Sequence, residues 1–146
     1  MESLHYLLMK SSAMFSKQIL SEVSKLGLTA GQPKVLDFLL QYQEADQKTI
    51  AAYCEIEQAT VGSILWRMEN AGLVVRRQKE GNRRSLYVSL TEKGMAAATQ
   101  LKDVFQQVEQ TATAALTPQE QQTLKEILSK MCGSMQPSQK SEKVIL

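Results

Sequence analysis

Between Gln47 and Leu90 the hydrophobic period changes once, from that of a helix to that of a strand, and the change falls on Gly72. A short helix runs from about Gln47 through Ile50, Ala51 and Ala52 to Cys54, Glu55-Ile56-Glu57 form a tight link, and Val61, Ile64, Leu65 and Met68 mark the inward face of a longer helix over 58–71. Gly72 ends that helix. Leu73-Val74-Val75-Arg76-Arg77 then has the β-branched content of a strand, Gly81 and Asn82 supply a turn, and Leu86, Val88 and Leu90 share one face of a second strand. Helix, turn, helix and hairpin follow one another, and a lone hairpin is too weak to stand without the helices before it.

Helical patterns flank this block. Leu4, Leu8, Phe15, Ile19, Val23 and Leu26 stripe a first helix, Leu7, Met14 and Leu20 widen the stripe, and Gly27 closes it. Thr29 and Gln32 read as a capping pair for a second helix with Pro33 in its first turn; Val35, Leu36, Leu39 and Leu40 form its buried face, and the polar run 41–47 ends it. Thr91 opens a long helix through Leu101, Val104, Phe105, Val108, Ala112 and Ala115, roughly 35 Å in extent. Thr117-Pro118-Gln119-Glu120 is a capping box with proline at the first helical position, and Leu124, Ile127, Leu128, Met131 and Met135 stripe a last helix. The fold class expected is mainly α, with six helices and a small two-stranded β wing. The terminal helices carry more apolar surface than one small headpiece covers, so a second copy of the chain is the expected partner. For the first helix alone, packing within the chain accounts for the stripe equally well.

With 146 residues and 43% hydrophobic content the chain fits one globular domain, and 5% aromatic content suits aliphatic helix packing. No basic leader precedes an apolar run and no stretch reaches the roughly 20 apolar residues of a membrane span, so a soluble cytoplasmic protein is expected, with no membrane partner. Cys54 and Cys132 stand far apart and read as reduced thiols rather than a disulfide or a metal pair. The sole histidine is His5, and neither a phosphate loop nor a nucleophile motif occurs, so the sequence implies no enzyme, no cofactor and no metal.

Charge is placed unevenly. Arg67, Arg76, Arg77, Lys79, Arg83 and Arg84 face only Glu69 and Glu80 between Gln58 and Arg84, although the whole chain carries a net +2. A solvated basic face explains the run as well as a nucleic acid does if charge is considered alone. On the longer helix Gln58, Ala59, Thr60, Gly62, Ser63 and Arg67 lie away from the apolar face. Short polar side chains there let the backbone approach the floor of a major groove, where Gln, Ser, Thr and Arg bond base edges. An ordinary amphipathic helix facing water has the same pattern.

The segment from Leu28 to Gly94 resembles the MarR family of winged helix-turn-helix regulators. The likeness rests on Leu28-Thr29, Thr49-Ile50-Ala51, Ala59-Thr60-Val61, Met68-Glu69-Asn70-Ala71-Gly72-Leu73-Val74, Asn82-Arg83-Arg84 and Ser89-Leu90-Thr91-Glu92-Lys93-Gly94. It implies a single domain over 1–135, with a DNA-binding lobe at about 29–94, an intertwined dimerisation region from 1–27 and 95–135, and a flexible tail at 136–146. It further implies a homodimer on double-stranded operator DNA, probed by Gln58, Thr60, Ser63 and Arg67 from the helix and by Lys79, Arg83 and Arg84 from the wing. Arg84 is the minor-groove residue and Arg83 a phosphate contact. A small aromatic or anionic effector between the dimerisation helices and the DNA-binding lobe, relieving repression, is implied in the same way. Two departures stand out: Asn82 where the family has Asp, and Gly62 where a polar residue is common. Two other readings stay open, a scaffold of this type that binds a protein partner, and a thiol sensor built on Cys54 or Cys132.

Overall fold

The computed structural model describes residues 1–79 and 81–136, with the backbone alone described at 82–85. Its elements are α1 (Leu4–Ser24), α2 (Gln32–Tyr42), β1 (Glu44–Asp46), α3 (Gln47–Cys54), α4 (Gln58–Asn70), β2 (Val74–Lys79), β3 (Asn82–Leu90), α5 (Glu92–Ala112) and α6 (Pro118–Met135). Among the described residues the six expected helices are therefore present, and the last residues of the expected tail, 137–146, lie outside them. Two compact units divide the chain, one at 1–109 and one at 110–146.

The expected two-stranded wing is present as β2 and β3, and a third strand that the sequence reading did not include extends the sheet to the order β1-β3-β2. β1 pairs antiparallel with β3 through Glu44↔Ser89, Ala45↔Val88 and Asp46↔Tyr87, and β2 pairs with the other edge of β3 from Val74↔Leu90 to Lys79↔Asn82, with an irregularity between Gln78 and Lys79. Glu44-Ala45-Asp46 is too short and too polar to alternate visibly, so the polar run that ends α2 concealed a strand whose partner lies far along the chain. Only Ala45 of the three is buried.

The opening of α2 is also different. Its N-cap is Gly31, at φ 88°, and not Thr29. The left-handed backbone favours glycine, and a Cβ there would collide with Ile64 of α4. Half of the expected capping pair survives: Gln32 Oε1 accepts the Thr29 amide at 3.2 Å, and Gln32 is itself buried. Pro33 sits in the first turn as expected. Thr117 and Glu120 form the full reciprocal box of α6, at 3.1 and 3.0 Å.

In the first unit the core is aliphatic. Val35, Leu36 and Leu39 of α2, Ile50 of α3, Val61, Leu65 and Met68 of α4, Val74 and Val88 of the sheet and Leu101 of α5 are all essentially sealed from water. Ile19 and Val23 are the only buried residues of α1. The rings of Phe38, Tyr42 and Tyr53 cluster at centroid separations of 4.8–5.5 Å, tying the end of α2 to α3. In the second unit α6 buries none of its residues, and Leu124, Ile127, Leu128 and Met135 face outward.

Candidate nucleic-acid interface

The helix-turn-helix is assembled by local bonds. Asp46 Oδ1 accepts the Thr49 amide at 2.8 Å and starts α3. That contact holds the Asp46 carboxyl below its ordinary range, because the bond favours the charged form. Glu55 turns left-handed at φ 55°, and the Ile56 amide reaches back to the Ala51 carbonyl at 3.0 Å, the arrangement by which helices end in a tight reversal. Ile56 then packs on the core and α4 departs.

Two side chains fix α4 in place. Gln47 Nε2 donates to the Gln58 carbonyl at 2.9 Å, across eleven residues. Gly62 makes room for that amide, since a Cβ at 62 would stand 2.9 Å from Gln47 Nε2. From the sheet side, Arg76 Nη2 donates to the Gly62 carbonyl at 3.4 Å and Arg76 Nε lies 3.2 Å from Glu69 Oε2, an ion pair whose angle falls outside hydrogen-bond range. Arg76, counted in the basic run, thus binds β2 to α4 and is largely withdrawn from solvent. The glycine that departs from the family pattern sits where α3 and the sheet both approach α4.

At the other end of α4, Thr91 Oγ1 donates to the Gly72 carbonyl at 2.5 Å and accepts the Gly94 amide at 3.0 Å, so one hydroxyl ends α4 and starts α5. Lys93 Nζ adds a bond to the Ala71 carbonyl at 2.8 Å. The Thr91-Glu92-Lys93-Gly94 run is therefore a clamp on the end of the helix as well as an exit from the wing.

On this frame Val61, Ile64, Leu65 and Met68 are buried, while Gln58, Thr60, Ser63 and Arg67 are exposed together on α4. Ser63 Oγ makes only a 3.4 Å bond to the Ala59 carbonyl. Lys79 is exposed at the end of β2, but it is engaged: Nζ lies 2.6 Å from Glu44 Oε1 and 4.4 Å from the centre of the Tyr87 ring. The hydrogen bond that its ammonium donates to the Glu44 carboxylate pushes its pKa up. The side chains of Arg83 and Arg84, and that of Asn82, lie outside the described residues, although the backbone places all three in β3. Within the basic run Arg67 and Arg77 are exposed as well, whereas the exposed Glu55 and Glu57 precede the start of α4.

Sequence reasoning missed three residues. Gln47 and Glu44 act only through contacts distant in sequence. Trp66 is 63% exposed on α4, although tryptophan is usually drawn into a core, and its signal was legible: it falls three residues after Ser63, off the apolar stripe.

Other chemistry is limited. Cys54 is buried, and burial pushes its thiol above the ordinary range, so it is a poor nucleophile at neutral pH. Cys132 is exposed. Among the described residues no helix is long and apolar enough to cross a membrane, and no group of His, Cys, Asp or Glu side chains is arranged to hold a metal.

Comparison with known proteins gives consistent results. The model of the MarR family matches residues 28–86. The homoprotocatechuate degradative operon repressor of Escherichia coli is 32% identical over 111 residues, covering 73% of this chain and 75% of that protein. Among solved structures, a cysteine-to-serine mutant of MarR from E. coli complexed with operator DNA is similar at a TM-score of 0.80 and 25% identity, over 88% of this chain and 92% of that one. A MarR family protein of Mycobacterium tuberculosis in complex with salicylic acid is similar at a TM-score of 0.71 and 27% identity, over 90% and 97% of the two chains.

Proposed function

The chain belongs to the MarR family, and on that premise we propose that it is a sequence-specific DNA-binding repressor, acting as a homodimer on a pseudo-palindromic operator and released by a small aromatic or anionic effector. The observation that carries this reading is α4 itself. It buries a complete apolar face, is held by Gln47 and Arg76, and leaves Gln58, Thr60, Ser63 and Arg67 open on the outside. A rigid helix with short polar side chains outward suits base readout in a major groove. In the wing, Arg84 reads the minor groove and Arg83 binds phosphate, each supplying positive charge that offsets the exposed Glu55 and Glu57 ahead of α4.

Three further observations support the reading. A relative is named as an operon repressor, one similar structure holds operator DNA, and another holds salicylic acid, a small aromatic anion. Uncovered apolar side chains on α1 and on α6 favour a second copy as partner. Twofold pairing then presents two copies of α4 to half-sites about one DNA turn apart.

The test is a titration of labelled duplex from the region upstream of the chain's own gene at several salt concentrations. Log affinity should fall linearly with log salt, by about 0.9 for each phosphate contacted. Salicylate is the probe for release and should lower the affinity. Arg84→Ala should weaken binding by about 1–3 kcal/mol. No salt-dependent binding to any upstream duplex would count against the proposal.

A further inference from the structure

We propose that Trp66 is a specificity-determining residue of the DNA interface, packing its indole on the C5-methyl group of a thymine in each half-site; this rests on the DNA-binding reading above. On α4, successive residues turn by about 100°. The buried residues Val61, Ile64, Leu65 and Met68 define the inward direction, and the stripe opposite to them is Ala59, Ser63, Trp66 and Asn70. Trp66 is thus on the same outward line as Ser63, not on a shoulder of the helix, and 63% of it is exposed. Exposed apolar residues occurring singly are common on any protein surface. This one is the largest side chain available, set in the middle of an otherwise small, polar stripe.

Its neighbours point to DNA rather than to a protein groove. Helical side chains lean toward the N-terminus, so the indole is directed over the turn holding Gly62 and Ser63, which have little bulk to obstruct it. Three residues along a helix span about 4.5 Å, more than the roughly 3.4 Å rise of one base-pair step, so Trp66 and Ser63 address neighbouring rather than identical base pairs of one groove. Arg67 is the next residue, exposed and cationic, as a phosphate wall requires. Indole is a donor only, through Nε1, with a broad apolar face. In a major groove the apolar feature it can meet is the thymine methyl.

Trp66 is the only tryptophan of the chain, so its emission reports its own surroundings. Because it is exposed on a helix, Trp66→Ala leaves the core intact, and circular dichroism and the melting curve of that variant should match those of the parent. The parent and Trp66→Ala are each used to enrich duplexes from a random-sequence pool, and the parent's enriched duplex is then remade with uracil in place of single thymines. The parent should prefer thymine at one defined position per half-site, show a changed indole emission on that duplex, and lose about fourfold in affinity for each such methyl removed. Trp66→Ala should enrich duplexes without that preference and bind thymine and uracil versions equally, while Trp66→Phe should keep part of it. Identical base preferences for parent and Trp66→Ala, or unchanged emission on binding, would overturn the inference while leaving the DNA-binding function standing. If the parent enriches nothing, both fail together.

Discussion

Lys79 Nζ lies 2.6 Å from Glu44 Oε1, so the far end of β2 is joined to β1 across the intervening β3. The lysine also covers the Tyr87 ring on that central strand. A side chain that the family resemblance offers to DNA is thus engaged by a carboxylate within the protein. The pairing bears on DNA binding, because an ammonium already held by a carboxylate adds less to phosphate binding than a free one.

Glu44→Gln should release Lys79. The variant is expected to bind DNA more tightly and with a steeper salt dependence, by about 0.9 in the log–log slope for each subunit if the freed ammonium meets one phosphate. Lys79→Ala in the parent should change the slope little. Salt titrations of the three proteins on one duplex provide the check, and a full unit lost from the slope in Lys79→Ala would show that DNA takes the lysine from Glu44.

Asp46 gives a pH dependence of known sign. Its carboxylate accepts the Thr49 amide, and its folded pKa is lowered from the ordinary 3.8. A depressed folded value means that the stabilisation is present at neutral pH, and is lost as pH falls through the ordinary aspartate value toward the lowered one. Asp46→Ala should cost about 1 kcal/mol at pH 7 as a lost helix cap. Asp46→Asn should retain most of the cap and flatten the acid limb, which urea midpoints measured from pH 7 to pH 3 will reveal.

Local features of the fold were legible where local physics decides them. Thr117 and Glu120 declared a capping box, and the inward face of α4 followed from four apolar residues at helical spacing. β1 was hidden because Glu44-Ala45-Asp46 becomes a strand only by pairing with Ser89, Val88 and Tyr87. Thr29 was a reasonable cap by composition, but the backbone turns at Gly31 to clear Ile64, a contact with no local signature. Likewise Gly62 stood out in the sequence only as a departure from the family pattern, and the approach of the Gln47 amide shows why a glycine suits that place. The outward residues of α4 could be listed from the helical period, whereas the engagement of Lys79 depends on strand order.

The two cysteines should behave differently toward thiol reagents. Cys54 is sealed in the core and its pKa is raised by burial, so it reacts only when α3 opens. The folded Cys132→Ser variant should show no fast-reacting thiol at pH 7.5 and one thiol in denaturant. Rapid labelling of that folded variant would restore Cys54 as a sensing residue.

Self-association should depend on α6. That helix buries none of its residues in the single chain, yet Leu124 and Leu128 remain 40% and 41% exposed, Ile127 49% and Met135 73%. At 100° per residue these four fall on one stripe, too continuous for a helix that meets only water. Sedimentation at micromolar concentration is therefore expected to give about twice 16.3 kDa. Leu128→Glu keeps a good helix former and the capping box, so α6 itself should persist. What it removes is a leucine worth about 1.5–3 kcal/mol when buried, and a twofold interface suffers the change twice. The variant should sediment near 16 kDa at concentrations where the parent is dimeric, with its helical signal largely retained. Its affinity for a two-half-site duplex should fall toward that for a single half-site, since the second copy of α4 is no longer tethered to the first. A monomeric Leu128→Glu that binds the full duplex as tightly as the parent would show that one copy of α4 and its wing suffice.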